Sequence, residues 1–275
     1  NTVVNHPTVQ KTISSEVGYL LRAPKTNIRA VGYVTERRDA TEVQRFFYEG
    51  AGSANSMIAY VLQNVDTRYT GLELAFDYKF TSSFSATAVA AVGQAFYLAD
   101  PDATGYFENA LDSSISEKAY FNNTYLGVGP QSAYTIGLNY RSKDYWYVNL
   151  NFSYFERAYV DPAAPRRTEQ AVEGIEKGSD KWQAILNQEK LPAIFTVDLF
   201  ASKSFLLSKS LKFLPRNTYL YINVGINNLL NNQNVATGGF ENSRFDYEGT
   251  NVNKFASKYF YGFGRNYFIN FSLKF

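Results

Sequence analysis

Seven residues have the types and placement to hold a ligand: Arg166, Arg167, Trp182, Phe240, Arg244, Phe245 and Tyr247. They fall in two long stretches with little hydrophobic alternation, residues 161–192 and 231–257. An aromatic ring offers a flat face for stacking, and a guanidinium presents a planar fork of donors to a carboxylate or phosphate. Side chains of this kind gathered on loops are how a rigid scaffold presents a binding surface. The competing role is structural, because loops of this length must pack on themselves; for any single one of the seven, packing is the favoured reading.

Other chemistry finds less support. Asp100-Pro101-Asp102-Ala103-Thr104-Gly105 begins like a calcium loop, with oxygen ligands at alternate positions and a glycine for the turn. Its ninth position is Glu108, but the twelfth is Leu111 where a bidentate Glu is required, and a solvated turn is expected instead. Glu169, Glu173 and Glu176 are followed by Lys177 and Lys181, the pattern of an ordinary charged face. The one histidine, His6, sits in a polar, proline-containing start and reads as a loop residue. A catalytic site needs a nucleophile and an oriented base, and neither is found. Cysteine is absent, which removes disulfide frameworks, thiolate metal sites and cysteine nucleophiles together. No catalytic residue, metal ligand or cofactor is assigned.

The elements that would position such loops are strands. Aromatic residues make up 17% of the 275-residue chain, 22 Tyr and 22 Phe among them, an excess suited to strands and to membrane interfaces. Twenty-seven basic against 25 acidic residues leave +2, too balanced to imply nucleic acid or an acidic partner. No apolar run approaches the roughly 18 residues a spanning helix needs, so a chain that crossed a membrane would cross it as a barrel. Alternation of period two marks about nine strands, over residues 12–22, 27–48, 57–80, 84–98, 133–141, 145–159, 193–206, 218–229 and 258–275. In the third, Leu72, Leu74, Phe76, Tyr78 and Phe80 share one face and Glu73, Ala75, Asp77 and Lys79 the other. Residues 100–129 read as a long irregular segment, and a short helix is expected near 180–187 with Asp180 as its cap.

The links between these strands are sorted. Those after the first, third, fifth and seventh are short or moderate (23–26, 81–83, 142–144, 208–217), whereas those after the even-numbered strands are mostly long. Short turns at one end and long loops at the other are the habit of outer-membrane barrels, whose strands are even in number in single-chain bacterial examples. An odd count beginning from the long-loop side predicts the C-terminal part of a larger barrel. The last strand ends the chain with Tyr267, Ile269, Phe271, Leu273 and Phe275 on its apolar face, the form of a barrel-assembly signal. One edge of that strand is expected to pair with a first strand outside residues 1–275. A soluble β-sandwich binding or adhesin module, and a passive porin-like barrel, are the alternatives.

From about Glu16 to Phe275 the sequence resembles the barrel C-terminus of TonB-dependent outer-membrane receptors of the Bacteroidetes type. The residues that carry this include Gly18-Tyr19 with Arg22-Ala23-Pro24-Lys25, Asp66-Thr67-Arg68 with Gly71-Leu72-Glu73-Leu74, and Gly129-Pro130-Gln131-Ser132-Ala133-Tyr134. Lys143-Asp144-Tyr145-Trp146, Arg166-Arg167-Thr168-Glu169, Glu189-Lys190-Leu191-Pro192, Asn227-Asn228-Leu229-Leu230-Asn231-Asn232 and Thr237-Gly238-Gly239-Phe240-Glu241 follow in order. The resemblance implies an all-β, antiparallel transmembrane barrel of roughly 22 strands, with long extracellular loops, short periplasmic turns and a plug domain. Residues 1–275 would form its C-terminal segment, without the plug and the earlier strands. It implies import of a scarce nutrient (siderophore, peptide or glycan class) across the outer membrane of a Gram-negative bacterium. The implied partners are outer-membrane lipid, the remainder of the receptor, TonB through the plug, the barrel-assembly machinery and a surface lipoprotein.

Overall fold

The computed structural model describes residues 8–48, 56–108 and 110–275. His6 and the expected small-residue loop at 49–55 lie outside the described residues. Nine strands form one continuous antiparallel path: β1 (Lys11–Arg22), β2 (Thr26–Tyr48), β3 (Ser56–Lys79), β4 (Phe84–Tyr97), β7 (Ser132–Arg141), β8 (Trp146–Glu156), β9 (Ile194–Leu206), β10 (Tyr219–Asn227) and β13 (Asn266–Lys274). Each pairs with its neighbour along the path, a meander with no crossover. Among the described residues β1 and β13 are paired on one side only. Among the described residues no helix is long and apolar enough to cross a membrane.

Register carries the alternation of each strand across the whole sheet. Leu21, Ile28, Phe76, Ala88, Ile136, Phe152 and Val197 stand opposite one another in a single row. A second row runs Leu138, Leu150, Leu199, Ile226, Tyr267. Because side chains alternate with period two, one slipped residue in any pairing would break these rows; none occurs in the lower sheet. The result is one uninterrupted apolar face. It is not packed into an interior, since Leu72, Leu74 and Phe76 are 48%, 43% and 42% exposed.

The opposite face is polar and bonded laterally. Thr87 donates to Asp77 (2.7 Å), Ser202 to Asn223 (2.7 Å), Asn223 to Asn270 (3.2 Å) and Asn227 to Asn266 (2.9 Å). Glycines on this face let large rings lie across the neighbouring strand. Tyr33 covers Gly71, where an added Cβ would stand 2.8 Å from its Oη, and Phe268 lies over Gly225. We expect Gly225→Leu to destabilise the folded chain by roughly 1–3 kcal/mol through overpacking, and Phe268→Ala in the same chain to recover most of the loss. Urea midpoints of the single and double variants check this.

The core sits at the long-link end. β2 and β3 continue well beyond their neighbours, at 23 and 24 residues. A register shift between Arg37 and Glu42, with Asp39 and Asn64 at positive φ, marks where the longer halves begin. Ion pairs cluster at that level: Glu36 accepts from Arg38 (2.8 Å) and Arg68, and Arg38 also reaches Asp66 (2.9 Å). Above them a cluster of Phe46, Ile58, Tyr60, Leu62, Tyr97 and Phe121 is buried.

Three expectations are corrected there. Residues 100–129 are not irregular throughout but hold a hairpin, β5 (Asp102–Phe107) and β6 (Ala110–Lys118), with β5 paired to the upper half of β3. The calcium-like stretch is therefore neither a metal loop nor a solvated turn. On a strand, side chains two residues apart are separated by about 6.7 Å, too far to converge on one ion. Asp102 is held instead by Lys118 (2.5 Å) and Asn64 (2.8 Å), and Asp100 accepts from the Asn122 backbone N–H (2.8 Å). Second, residues 231–257 contain β11 (Ala236–Phe240), and the expected last strand is broken. Its first part, β12 (Lys258–Tyr261), leaves the wall to pair with β11, and Gly262 and Gly264 lie in the break. Third, the helix at Asp180–Leu186 is capped one residue earlier than expected, by Ser179, whose hydroxyl accepts from the Trp182 N–H.

Candidate functional site

The links after β4, β8 and β10 fold into one assembly above the wall, and the seven singled-out residues all lie in it. Its short helices are α1 (Ala164–Arg167) and α2 (Asp180–Leu186). A helix as short as α2 ends with carbonyls that no intrahelical donor reaches, and these attract cations. Arg166 donates to the carbonyls of Ile185 (2.6 Å) and Ala184 (2.7 Å), and Arg167 to that of Leu186 (2.8 Å). Arg167 is fully buried and forms a two-pronged pair with Glu241, which also accepts from the Ala163 N–H (3.0 Å). One ion pair thus joins α1, the end of α2 and the end of β11.

The aromatic candidates pack around that joint. Phe245 is buried against Ala171, Val172 and Ile185, and Tyr247 meets it edge-on at 5.4 Å while donating to the Pro165 carbonyl (3.0 Å). Trp182 stands edge-on to Tyr120 (5.3 Å), and the Arg244 guanidinium lies 4.5 Å from the Phe255 ring centre. Phe240 contacts Phe260 and stays 38% exposed. Arg167, Phe245 and Tyr247 therefore hold the loops together, whereas Arg166, Trp182, Phe240 and Arg244 keep surface.

Glutamines do much of the remaining fastening, a role the sequence did not disclose. The side-chain amide of Gln188 donates to the carbonyls of Tyr125 (2.6 Å) and Val160 (2.8 Å), and its oxygen accepts from the Tyr125 N–H (2.7 Å). Gln44 accepts from the Ala164 N–H (2.8 Å) and Gln131 from the Ala95 N–H (2.5 Å). Glu117 accepts from Tyr60 (2.6 Å) and from the Gln170 N–H (3.0 Å), tying the β5–β6 hairpin to the rest.

A cleft of about 620 Å³ opens beside the Arg166 joint, lined by Arg166, Gln188, Glu189, Lys190, Asn253 and Tyr259 among others. Tyr259 donates to Glu189 (2.5 Å), and that carboxylate acceptor pushes the phenol up to about 12. Burial lowers the Arg166 guanidinium from its ordinary value. Two carboxyls nearby are raised: Glu42 by desolvation, with Asp161 adding, and Asp161 by desolvation, with Glu241 adding. Among the described residues no three carboxylates or imidazoles come together as a metal site.

A nine-strand antiparallel meander, apolar on one face, polar on the other, with its loops assembled at one end, is the wall of a transmembrane β-barrel. Among solved structures, the chain is similar to copper transporter OprC, with a TM-score of 0.53 and 16% identity over 96% of this chain. The chain spans 31% of the length of that protein, and at this identity the likeness establishes the fold. No protein-family model and no curated protein matches the sequence.

Proposed function

We propose that this chain is the C-terminal wall and loop cap of a TonB-dependent importer in the outer membrane of a Gram-negative bacterium. The observation that carries the reading is the apolar face, held in register over nine strands and left uncovered at the sheet surface. Such a face is stable against lipid, and the laterally bonded amide face suits a hydrated lumen or a plug domain within it. The barrel would be completed by strands between β13 and β1, and energy would reach it through TonB acting on the plug. The closing strand, through Tyr267, Ile269, Phe271, Leu273 and Phe275, would address the chain to the barrel-assembly machinery.

Substrate would be met first by the loop cap. Arg166, Lys190 and Tyr259 line the cleft, and Trp182, Phe240 and Arg244 add further accessible surface on the cap; a surface lipoprotein would cover the same end. The cleft carries both charges and several amides, which suits a polar nutrient more than a purely apolar one. The test separates an energised importer from a passive pore. The full-length protein inserted into planar bilayers is expected to stay closed until its plug is loosened with urea; a steady open conductance in buffer would overturn the importer reading.

A further inference from the structure

The turns at the short-link end are unusually basic for a chain of this charge. Residues 22–26, 79–84, 141–146 and 206–218 together hold eight Lys or Arg and one carboxylate, Asp144, whereas the whole chain is only +2. The last of these turns differs from the rest. It is longer and folded, with Leu207–Lys209 in a 3-10 turn, the Leu211 N–H bonded to the Leu207 carbonyl (2.8 Å) and buried Thr218 donating to the Pro215 carbonyl (2.8 Å). That scaffold holds apolar side chains out, with Phe213 81% and Leu211 41% exposed. Lys209, Lys212 and Arg216 surround them, all exposed and with no acidic residue in the turn.

We infer that this turn is a docking site for anionic phospholipid headgroups, its rings entering the acyl boundary and its cations meeting the phosphates. Position favours lipid over a soluble partner. The turn continues from Phe205, Lys203 and Leu206 at the end of β9, where Phe205 and Lys203 share the parity of the apolar face. Lys203 lies 5.6 Å from the Phe205 ring centre and donates to the Asp144 carbonyl, so its charge is carried to the rim while its stem stays on the apolar face. Charge favours anionic over zwitterionic lipid, because each cation at a membrane surface is attracted by a negative leaflet. Apolar anchor and cations together satisfy the two-signal requirement for stable interfacial attachment.

The inference rests on the transmembrane reading, and the experiment keeps the two apart. Bimane is attached to Phe213→Cys and, separately, to Phe76→Cys in the full-length protein, in phosphatidylcholine vesicles containing spin-labelled phosphatidylglycerol or spin-labelled phosphatidylcholine. The label at 76 is expected to be quenched by both lipids, and its failure to quench would sink the transmembrane reading itself. The label at 213 is expected to be quenched at least about two-fold more by phosphatidylglycerol at low salt. That preference should vanish in Lys209→Gln/Lys212→Gln/Arg216→Gln, with the label at 76 unchanged. Quenching at 76 with none at 213, as when protein covers the turn, overturns the docking site; equal quenching at 213 by the two lipids overturns its selectivity for anionic headgroups.

Discussion

Replacing Glu241 by alanine is expected to destabilise the loop assembly by roughly 3–5 kcal/mol, the cost of leaving a buried charge without its partner. Arg167 is wholly buried and Glu241 1% exposed, so water cannot take over the lost hydrogen bonds. The carboxylate satisfies Arg167 and the Ala163 N–H together, and its loss orphans donors on α1 while freeing the end of β11. The damage should be local. The nine-strand wall makes none of these bonds, so the purified variant should keep the heat-modifiable migration of a folded barrel on gels. Hydrogen exchange over residues 163–172 and 236–241 should accelerate by two orders of magnitude or more, in keeping with about 1.4 kcal/mol per decade. Arg167→Met/Glu241→Leu removes both charges and should recover most of the protection, since a packed apolar pair often matches a buried ion pair. Unchanged exchange in Glu241→Ala would show that the joint is not what holds the loops.

The wall was legible in the sequence and the cap was not, for physical reasons. A strand with lipid on one face and water on the other alternates strongly, as Leu72 to Phe80 does against Glu73 to Lys79, and register only had to align rows already visible. The β5–β6 hairpin escaped because its buried positions are small. Ala103 is fully buried and Gly105 lies against Ile58 and Tyr60, so the alternation has almost no hydrophobic amplitude, while Asp, Pro and Gly imitate a turn. The ends of α2 were nearly right because Ser179 and Asp180 are both good caps, and composition does not choose between neighbours. Arg167 and Glu241 lie 74 residues apart in sequence, and no local pattern announces such a pair. The seven loop residues were found by type, but whether each faces ligand or its own loop depends on the tertiary joint.

The second large effect concerns which face meets lipid, and two adjacent residues on β8 decide it. Leu150 sits near the middle of β8 on the apolar face, opposite Leu138 and Leu199, while Asn149 points to the polar face opposite Asn139 and Phe200. Leu150→Arg is expected to cost about 2–4 kcal/mol, the range for a cation at the bilayer midplane of a barrel, and Asn149→Arg well under about 1 kcal/mol because a lumenal charge stays hydrated. Neither position is a turn or a glycine, so backbone strain does not enter, and strand propensity is nearly the same for the two arginines. The measurement is the urea dependence of folding into lipid vesicles, read by gel mobility without heating. A soluble sandwich with its core on the apolar face would also suffer from Leu150→Arg, so the contrast alone does not separate lipid from a protein core. Bilayer thickness does. In thinner bilayers the interface approaches Leu150, a long arginine reaches the headgroups with less deformation, and the penalty should shrink. A penalty independent of acyl length would place Leu150 inside protein and remove the observation on which the importer reading stands.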